Sequence, residues 1–350
     1  MAPSMQHGVN IAYWLSQSRM TTAEAMHRPT FFNLTDVDRI AAWGMDHVRL
    51  PVDQQVLWDA TGGRIERRWD MLDVAVGALI SKGLTVMLDL HTLTSHDVLA
   101  APAEATLFED PQAQESFADC WAQLSDFFRA RPVESLVYEL LNEPMAPDAA
   151  DWNRVYRPVF DKLRAAEPER WLKLGCNWYQ TPETMGQLAV PEDPRTILGF
   201  HFYAPHCLTH FQAAWSQGTP GYAGPVQYPG QIIPADQAEA LDAQARADLA
   251  GRGALENWDA DRLATQLAEP LAVRDRTGLA LHCGELGCLA TVPAASRLRW
   301  YTDVLDMLDA RDIGWCIWNY KSTAKFGLVD DSGQPTDLGC MIRQRLATRD

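Results

Sequence analysis

The sequence predicts an α/β fold, a single (β/α)8 TIM barrel formed by residues 1–350 with long loops after strands one, three and six. Three observations predict it. Eight short, mostly apolar segments alternate with amphipathic ones from end to end. Neither a Gly-x-Gly-x-x-Gly run nor a phosphate loop follows the first segment, which argues against an open nucleotide-binding sheet. The long irregular stretches all follow strand C-termini, where a barrel builds its mouth.

In order, the predicted strands are Val9–Ala12, His47–Val52, Leu84–Leu90, Leu136–Leu141, Trp171–Leu174, Thr196–Phe202, Leu279–Cys283 and Gly314–Trp318. Strands buried on both faces are apolar throughout, and most of these read that way. Helical stripes lie between them. Phe117, Cys120, Trp121, Leu124, Phe127 and Phe128 recur at three-and-four spacing, as do Trp152, Val155, Tyr156, Val159, Phe160 and Leu163. Leu298, Tyr301, Val304, Leu305 and Leu308 make a third buried face. Pro158, inside the second stripe, is expected to kink that helix or to sit near its start. The long loops are Tyr13–Asn33, His91–Asp110 and Tyr203–Asn257. Within the last, Gly218–Pro234 reads as a surface loop over the mouth and Ala235–Leu249 as a short helix. No linker and no short repeat divides the chain, so one domain is expected.

Composition narrows the partners. A formal net charge of −16 repels phosphate backbones and anionic lipid surfaces, so neither nucleic acid nor a membrane is an expected partner. No apolar run reaches the length of a membrane span. The 7 cysteines are odd in number and form no Cys-x-x-Cys pair, so buried free thiols and a reducing compartment are expected. The opening residues form no signal peptide. The expectation is cytoplasmic for the chain as given, and secreted or periplasmic if a leader was removed. Nothing in the sequence bears on oligomeric state. The 13 tryptophans suit a core, and a minority of them a cleft for a flat apolar ligand.

Two strand ends carry the chemistry. Tyr138-Glu139-Leu140-Leu141-Asn142-Glu143-Pro144 runs an apolar strand into a polar pair and stops it with proline. Leu279-Ala280-Leu281-His282-Cys283-Gly284-Glu285 again ends an apolar strand in a carboxylate. Strands four and seven leave Glu143 and Glu285 on opposite sides of one rim. Cleaving a glycosidic bond needs such a pair: one carboxylic acid to protonate the leaving oxygen, one carboxylate to attack or assist at the anomeric carbon. A metal-dependent reading is disfavoured, because His201, His206, Cys207 and His210 fit no common zinc spacing and strand one has no His-x-His pair. No metal and no cofactor is expected.

From Gly8 to Gly333 the sequence resembles glycoside hydrolase family 5, the cellulase family among the retaining barrel glycosidases. The resemblance rests on Asn142-Glu143-Pro144 after strand four, Glu285 closing strand seven, Arg49 in Val48-Arg49-Leu50-Pro51, His91 after Leu88-Asp89-Leu90, His201-Phe202-Tyr203 after strand six, and Trp318 before Asn319. It implies Glu143 as acid/base and Glu285 as nucleophile. Arg49 is then expected beside Glu285, holding its pKa down. Tyr203 is expected to donate to the same carboxylate, and Asn142 to bind the sugar 2-hydroxyl. Trp318 is expected under the reacting sugar, with His91 and His201 lining its subsite. Arg49 serves equally as a buried ion-pair strut. Trp14, Trp178 and Trp215 are candidate outer stacking residues.

The resemblance further implies retention, with carboxyl groups about 5–5.5 Å apart, on an oligo- or polysaccharide, foremost a β-1,4-glucan. The sequence departs from the usual pattern at Ile11-Ala12-Tyr13-Trp14 and Thr92-Leu93-Thr94-Ser95-His96, both of which shape sugar subsites. The alternatives are another glycan (β-mannan, another β-glucan or a glycolipid headgroup) or a non-catalytic glycan-binding barrel.

Overall fold

The computed structural model describes residues 2–17, 31–98, 105–216, 219, 221–321 and 326–348. Its strands are β1 (His7–Asn10), β2 (His47–Asp53), β3 (Thr85–Thr92), β4 (Leu136–Glu139), β5 (Trp171–Gly175), β6 (Thr196–Phe202), β7 (Gly230–Gln231), β8 (Asn257–Trp258), β9 (Ala280–Leu286) and β10 (Gly314–Ile317). All of these except β7 and β8 form one closed parallel barrel, in the order β1-β10-β9-β6-β5-β4-β3-β2. The eight apolar segments of the sequence are its eight strands. Their ends differ by a few residues: β1 begins at His7 rather than Val9, and β9 runs on to Leu286.

The stripes become helices Pro111–Phe128, Ala149–Ala166 and Ala294–Asp309, each burying the spaced apolar side chains against the barrel. Asp110 and Asp148 cap the first two by accepting from the Gln112 and Ala150 amides. Pro158 sits mid-helix, not near the start. It lies on the exposed face, where water can take up the carbonyl that proline leaves without a donor.

The segment after β6 departs from expectation. Where one helix was expected over Ala235–Leu249 there are two, Ala235–Glu239 and Ala243–Ala250, and a turn of helix lies earlier, at His206–Thr209. Gly218 and Pro220 lie outside the described residues, but Tyr222 and Tyr228 are buried, and β7 pairs antiparallel with β8. Tyr228 donates to Asp303 at 2.9 Å, and its amide donates to Ser296 at 3.0 Å. The stretch is thus anchored to the outer helix Ala294–Asp309 rather than lying free over the mouth. Among the described residues no helix is long and apolar enough to cross a membrane.

Two bulges aim the rim. Phe200 pairs with Cys283 but His201 pairs with Glu285, so Gly284 is an extra residue in β9. Strict alternation would point Glu285 outward if Gly284 pointed in; the bulge returns it to the interior. A Cβ at Gly284 would lie 2.3 Å from Lys173 Nζ, so a side chain there would have to push the buried lysine away from Glu139. A second shift, where Val52 pairs with Leu90 and Asp53 with Thr92, accompanies His91 in β3.

Candidate active site

Arg49, on β2, is fully buried at the centre of the barrel's upper half. Its Nε donates to Glu139 at 2.7 Å, Nη1 to Asn10 at 2.9 Å and to Glu285 at 2.7 Å, and Nη2 to Asn142 at 2.8 Å. Asp89 lies 2.9 Å from Nη2. Lys173 donates to the second oxygen of Glu139 at 2.8 Å. Although burial opposes ionisation, Arg49 and Lys173 hold the Glu139 carboxyl far below the usual range.

Above this network Glu285 accepts from Arg49 through one oxygen and from the Tyr203 hydroxyl, at 2.9 Å, through the other. Arg49 was expected to hold the Glu285 pKa down. It does act in that direction, but burial outweighs it and the carboxyl lies above its ordinary value. The reason is that one guanidinium is shared among three buried carboxylates.

Glu143 stands opposite. Its backbone adopts φ +44°, the left-handed region that ordinary residues avoid. Both of its peptide groups are tied: the amide donates to Gln180 at 3.1 Å, and the carbonyl is 3.0 Å from His96 Nε2. Its carboxylate meets His201 Nδ1 at 2.8 Å. Burial first, and the charge of Glu285 second, push the Glu143 carboxyl well above the ordinary value. Burial and the nearby Arg49 and Lys173 cations keep His201 well below its own. The ring is therefore neutral, and a proton on Nδ1 lets it donate to Glu143. His201 Nδ1 is also 3.7 Å from Glu285. Carboxylate oxygens of Glu143 and Glu285 and a ring nitrogen of His201 all lie within 4.8 Å of one another.

Both carboxylates face one cleft, lined also by Asn142, His91, Tyr203 and Trp318. The Asn142 carbonyl is turned to Arg49, which leaves its amide NH₂ as a donor for the cleft. His91 is fixed by Asp89 at 2.8 Å and stacks parallel to Trp318, with centroids 5.7 Å apart and planes 9° apart. A wider recess opens on the Glu143 side, lined by Tyr179, His206, Trp215, Arg252 and Trp258. Of the three outer tryptophans, Trp215 is 44% exposed and lines both hollows. Trp14 is buried against Phe32 in the hydrophobic core and does not line the cleft, although its neighbours Tyr13 and Gln17 do. Trp178 is half exposed but packs edge-on to Tyr179 and lines neither hollow.

Sequence reasoning missed Asp89, Glu139, Lys173 and Gln180. The first three had a signal: each is a charge two residues from another inward residue or alone in an otherwise apolar strand. Gln180 had none. It reaches Glu143 only because Trp178, Tyr179 and Gln180 all take positive φ, a left-handed turn after β5.

The chemistry this arrangement allows is that of one neutral and one ionisable carboxyl group facing each other across a sugar-sized gap. The comparisons agree. Residues 13–324 match the family model for cellulase, glycosyl hydrolase family 5. Endoglucanase C of Acetivibrio thermocellus is 31% identical over 95% of this chain and 95% of its own length. Cellodextrinase A of Ruminococcus flavefaciens is 27% identical over 84% of this chain and 79% of its own. Among solved structures, the cellulose synthase subunit Z of Clostridioides difficile superposes with a TM-score of 0.77 at 20% identity, covering 98% of this chain and 99% of that one. Cel5A of Thermotoga maritima, in complex with cellobiose, gives 0.75 at 18% identity, over 98% and 97%. The latter two share the barrel; the family match and Endoglucanase C go further, and together they establish that the chain is a glycoside hydrolase belonging to glycosyl hydrolase family 5, the cellulases.

Proposed function

We propose that this enzyme hydrolyses β-1,4-linked glucan by double displacement, with Glu285 as nucleophile and Glu143 as acid/base. The observation that carries the reading is the placement of oxygens from both carboxylates within 4.8 Å around His201. Inverting enzymes need room for a water between the carboxyls, which are then about 6.5–9.5 Å apart. This gap suits direct attack on the anomeric carbon.

In the first step a Glu285 oxygen bonds to the anomeric carbon, and the glycosidic C–O bond breaks. The departing oxygen takes the proton of Glu143. Burial and the Glu285 charge keep that proton in place beforehand. Once Glu285 is an ester its charge is gone, so Glu143 gives up protons more readily. It can then take one from the water that cleaves the ester. Trp318 offers the sugar a flat apolar face, and Asn142 offers the 2-hydroxyl a hydrogen bond that strengthens as positive charge develops on the ring. Trp215 extends the stacking surface toward the leaving-group side.

A panel of polymeric and short β-glycans, with products resolved by size and anomeric configuration, tests this. Retained β products from β-1,4-glucan are expected, and a 2-fluoro glycoside should label Glu285. Inverted products, or label on another residue, refute the assignment. Preference for β-mannan would move the substrate and leave the mechanism intact.

A further inference from the structure

A second cluster of ligating side chains lies in the same barrel, apart from the carboxylates. His47 on β2, His282 on β9 and Cys316 on β10 are all buried, at 0%, 1% and 0% exposure. Their ligand atoms lie within 4.8 Å of one another. His47 Nε2 is 2.9 Å from His282 Nε2 and 3.1 Å from Cys316 Sγ. β2 and β10 flank β1, where the barrel closes, and β9 lies next beyond β10. Gly8 of β1 completes the space: a Cβ there would be 2.4 Å from His47 Nε2.

Hydrogen bonding alone does not satisfy this group. His47 Nδ1 is committed to Asp46 at 2.6 Å. Its Nε2 therefore has one lone pair, or one proton, for two neighbours. A cation at the common point would instead take one lone pair from each of the three atoms. The carboxylate behind His47 is the arrangement that fixes the tautomer and orientation of a metal-bound imidazole. Two imidazoles and a thiolate select borderline-to-soft ions over magnesium or calcium.

We propose that His47, His282 and Cys316 bind one thiophilic transition-metal ion, of the zinc or copper(I) type, as a staple across the barrel closure. Metal bonds of about 2.0–2.1 Å to nitrogen and about 2.3 Å to sulfur set ligand atoms roughly 3.3–3.6 Å apart, so the cluster opens by about 0.5 Å to admit the ion. Binding forms two metal–nitrogen bonds and one metal–sulfur bond, and two protons leave to solvent: that of the thiol and the one held between the two Nε2 atoms. A dication balances the thiolate and the Asp46 carboxylate. With three protein ligands a zinc ion keeps a fourth position, whereas copper(I) is satisfied by three.

The test uses the full chain, reduced, stripped with chelator and refolded in the presence of Co²⁺, and in a second arm Cu⁺ held by a chromophoric chelator. The zinc-type outcome is a thiolate-to-cobalt charge-transfer band that saturates at one ion per chain and is displaced by Zn²⁺. The copper-type outcome is one-to-one withdrawal of Cu⁺ from its chelator without that band. Either supports the site, provided Cys316→Ser loses it and Cys340→Ser, at the exposed cysteine, keeps it. Asp46→Asn should weaken binding about 10–100-fold. Uptake of neither ion at one per chain overturns the proposal, and so does binding that survives Cys316→Ser. If Cys316→Ser does not refold, His282→Asn replaces it, and the titration of the unaltered chain still decides between binding and none.

Discussion

Replacing Arg49 by lysine keeps the charge and removes the fork, and its outcome follows from the contacts. The guanidinium donates hydrogen bonds to Asn10, Glu139, Asn142 and Glu285, and pairs with Asp89. A lysine ammonium has three N–H groups on one nitrogen and cannot span acceptors on opposite edges of the guanidinium plane. At least two bonds to these groups are lost. At about 1.5–3 kcal/mol each for bonds to charged partners, Arg49→Lys should cost about 3–6 kcal/mol. That is a large share of the roughly 5–15 kcal/mol that holds most proteins folded. Urea unfolding should show a lower midpoint with an unchanged slope.

The pH dependence has a definite sign. Glu139 is depressed below its ordinary 4.5 in the folded chain, so its contribution is complete above pH 4.5 and fades as pH falls through the folded value. The difference between Arg49→Lys and the parent should therefore be largest near neutrality and shrink in acid. A loss under about 1 kcal/mol, or one that grows in acid, refutes the claim that this network is tight and ionised.

Four further outcomes are expected. The kcat/KM profile should be bell-shaped, with an acid limb above 4.5 where Glu285 is protonated and a basic limb where Glu143 loses its proton; Glu143→Gln should remove the basic limb. Glu143→Gln should lower kcat about 10²–10⁴-fold on natural glycans and far less in the glycosylation of aryl glycosides with acidic leaving groups, as stopped-flow release would show. Gly284→Ala should lower both activity and the melting temperature, because the added carbon would displace Lys173 Nζ, at 2.3 Å, from Glu139 and crowd His201 Nε2, at 3.1 Å. Trp215→Ala should raise KM for cello-oligosaccharides by the loss of about 1 kcal/mol or so of stacking, while Trp178→Ala leaves it unchanged, as initial rates would reveal.

The barrel was legible because strands buried on both faces leave a simple mark, and the amphipathic stripes between them leave another. The meeting of Glu143 and Glu285 was legible because each carboxylate follows an apolar strand on the same rim of one barrel. What could not be read depends on events off that period. The bulge at Gly284 decides which way Glu285 points, and a lone glycine does not announce one. The left-handed turn that delivers Gln180 is made of tryptophan, tyrosine and glutamine, none of which favours it. Aromatics defeat sequence reading for another reason. Trp14 in the core and Trp215 in the cleft follow strands one and six alike, and only packing separates them.

Asn10, Asp89, Glu139, Asn142 and Glu285 come from separate parts of the barrel and are knitted through Arg49, whereas described residues between Tyr203 and Trp258 supply much of the recess beside Glu143. Attachments of this stretch to the remainder include Tyr228 with Ser296 and Asp303. Such an arrangement is modular: beyond Tyr203, whose hydroxyl holds Glu285, selection can swap or reshape that cassette, altering which half-polymer is accepted as it departs, without disturbing the contacts of Arg49 beneath. Diversification of substrate taste and preservation of catalytic power then proceed along different parts of the gene.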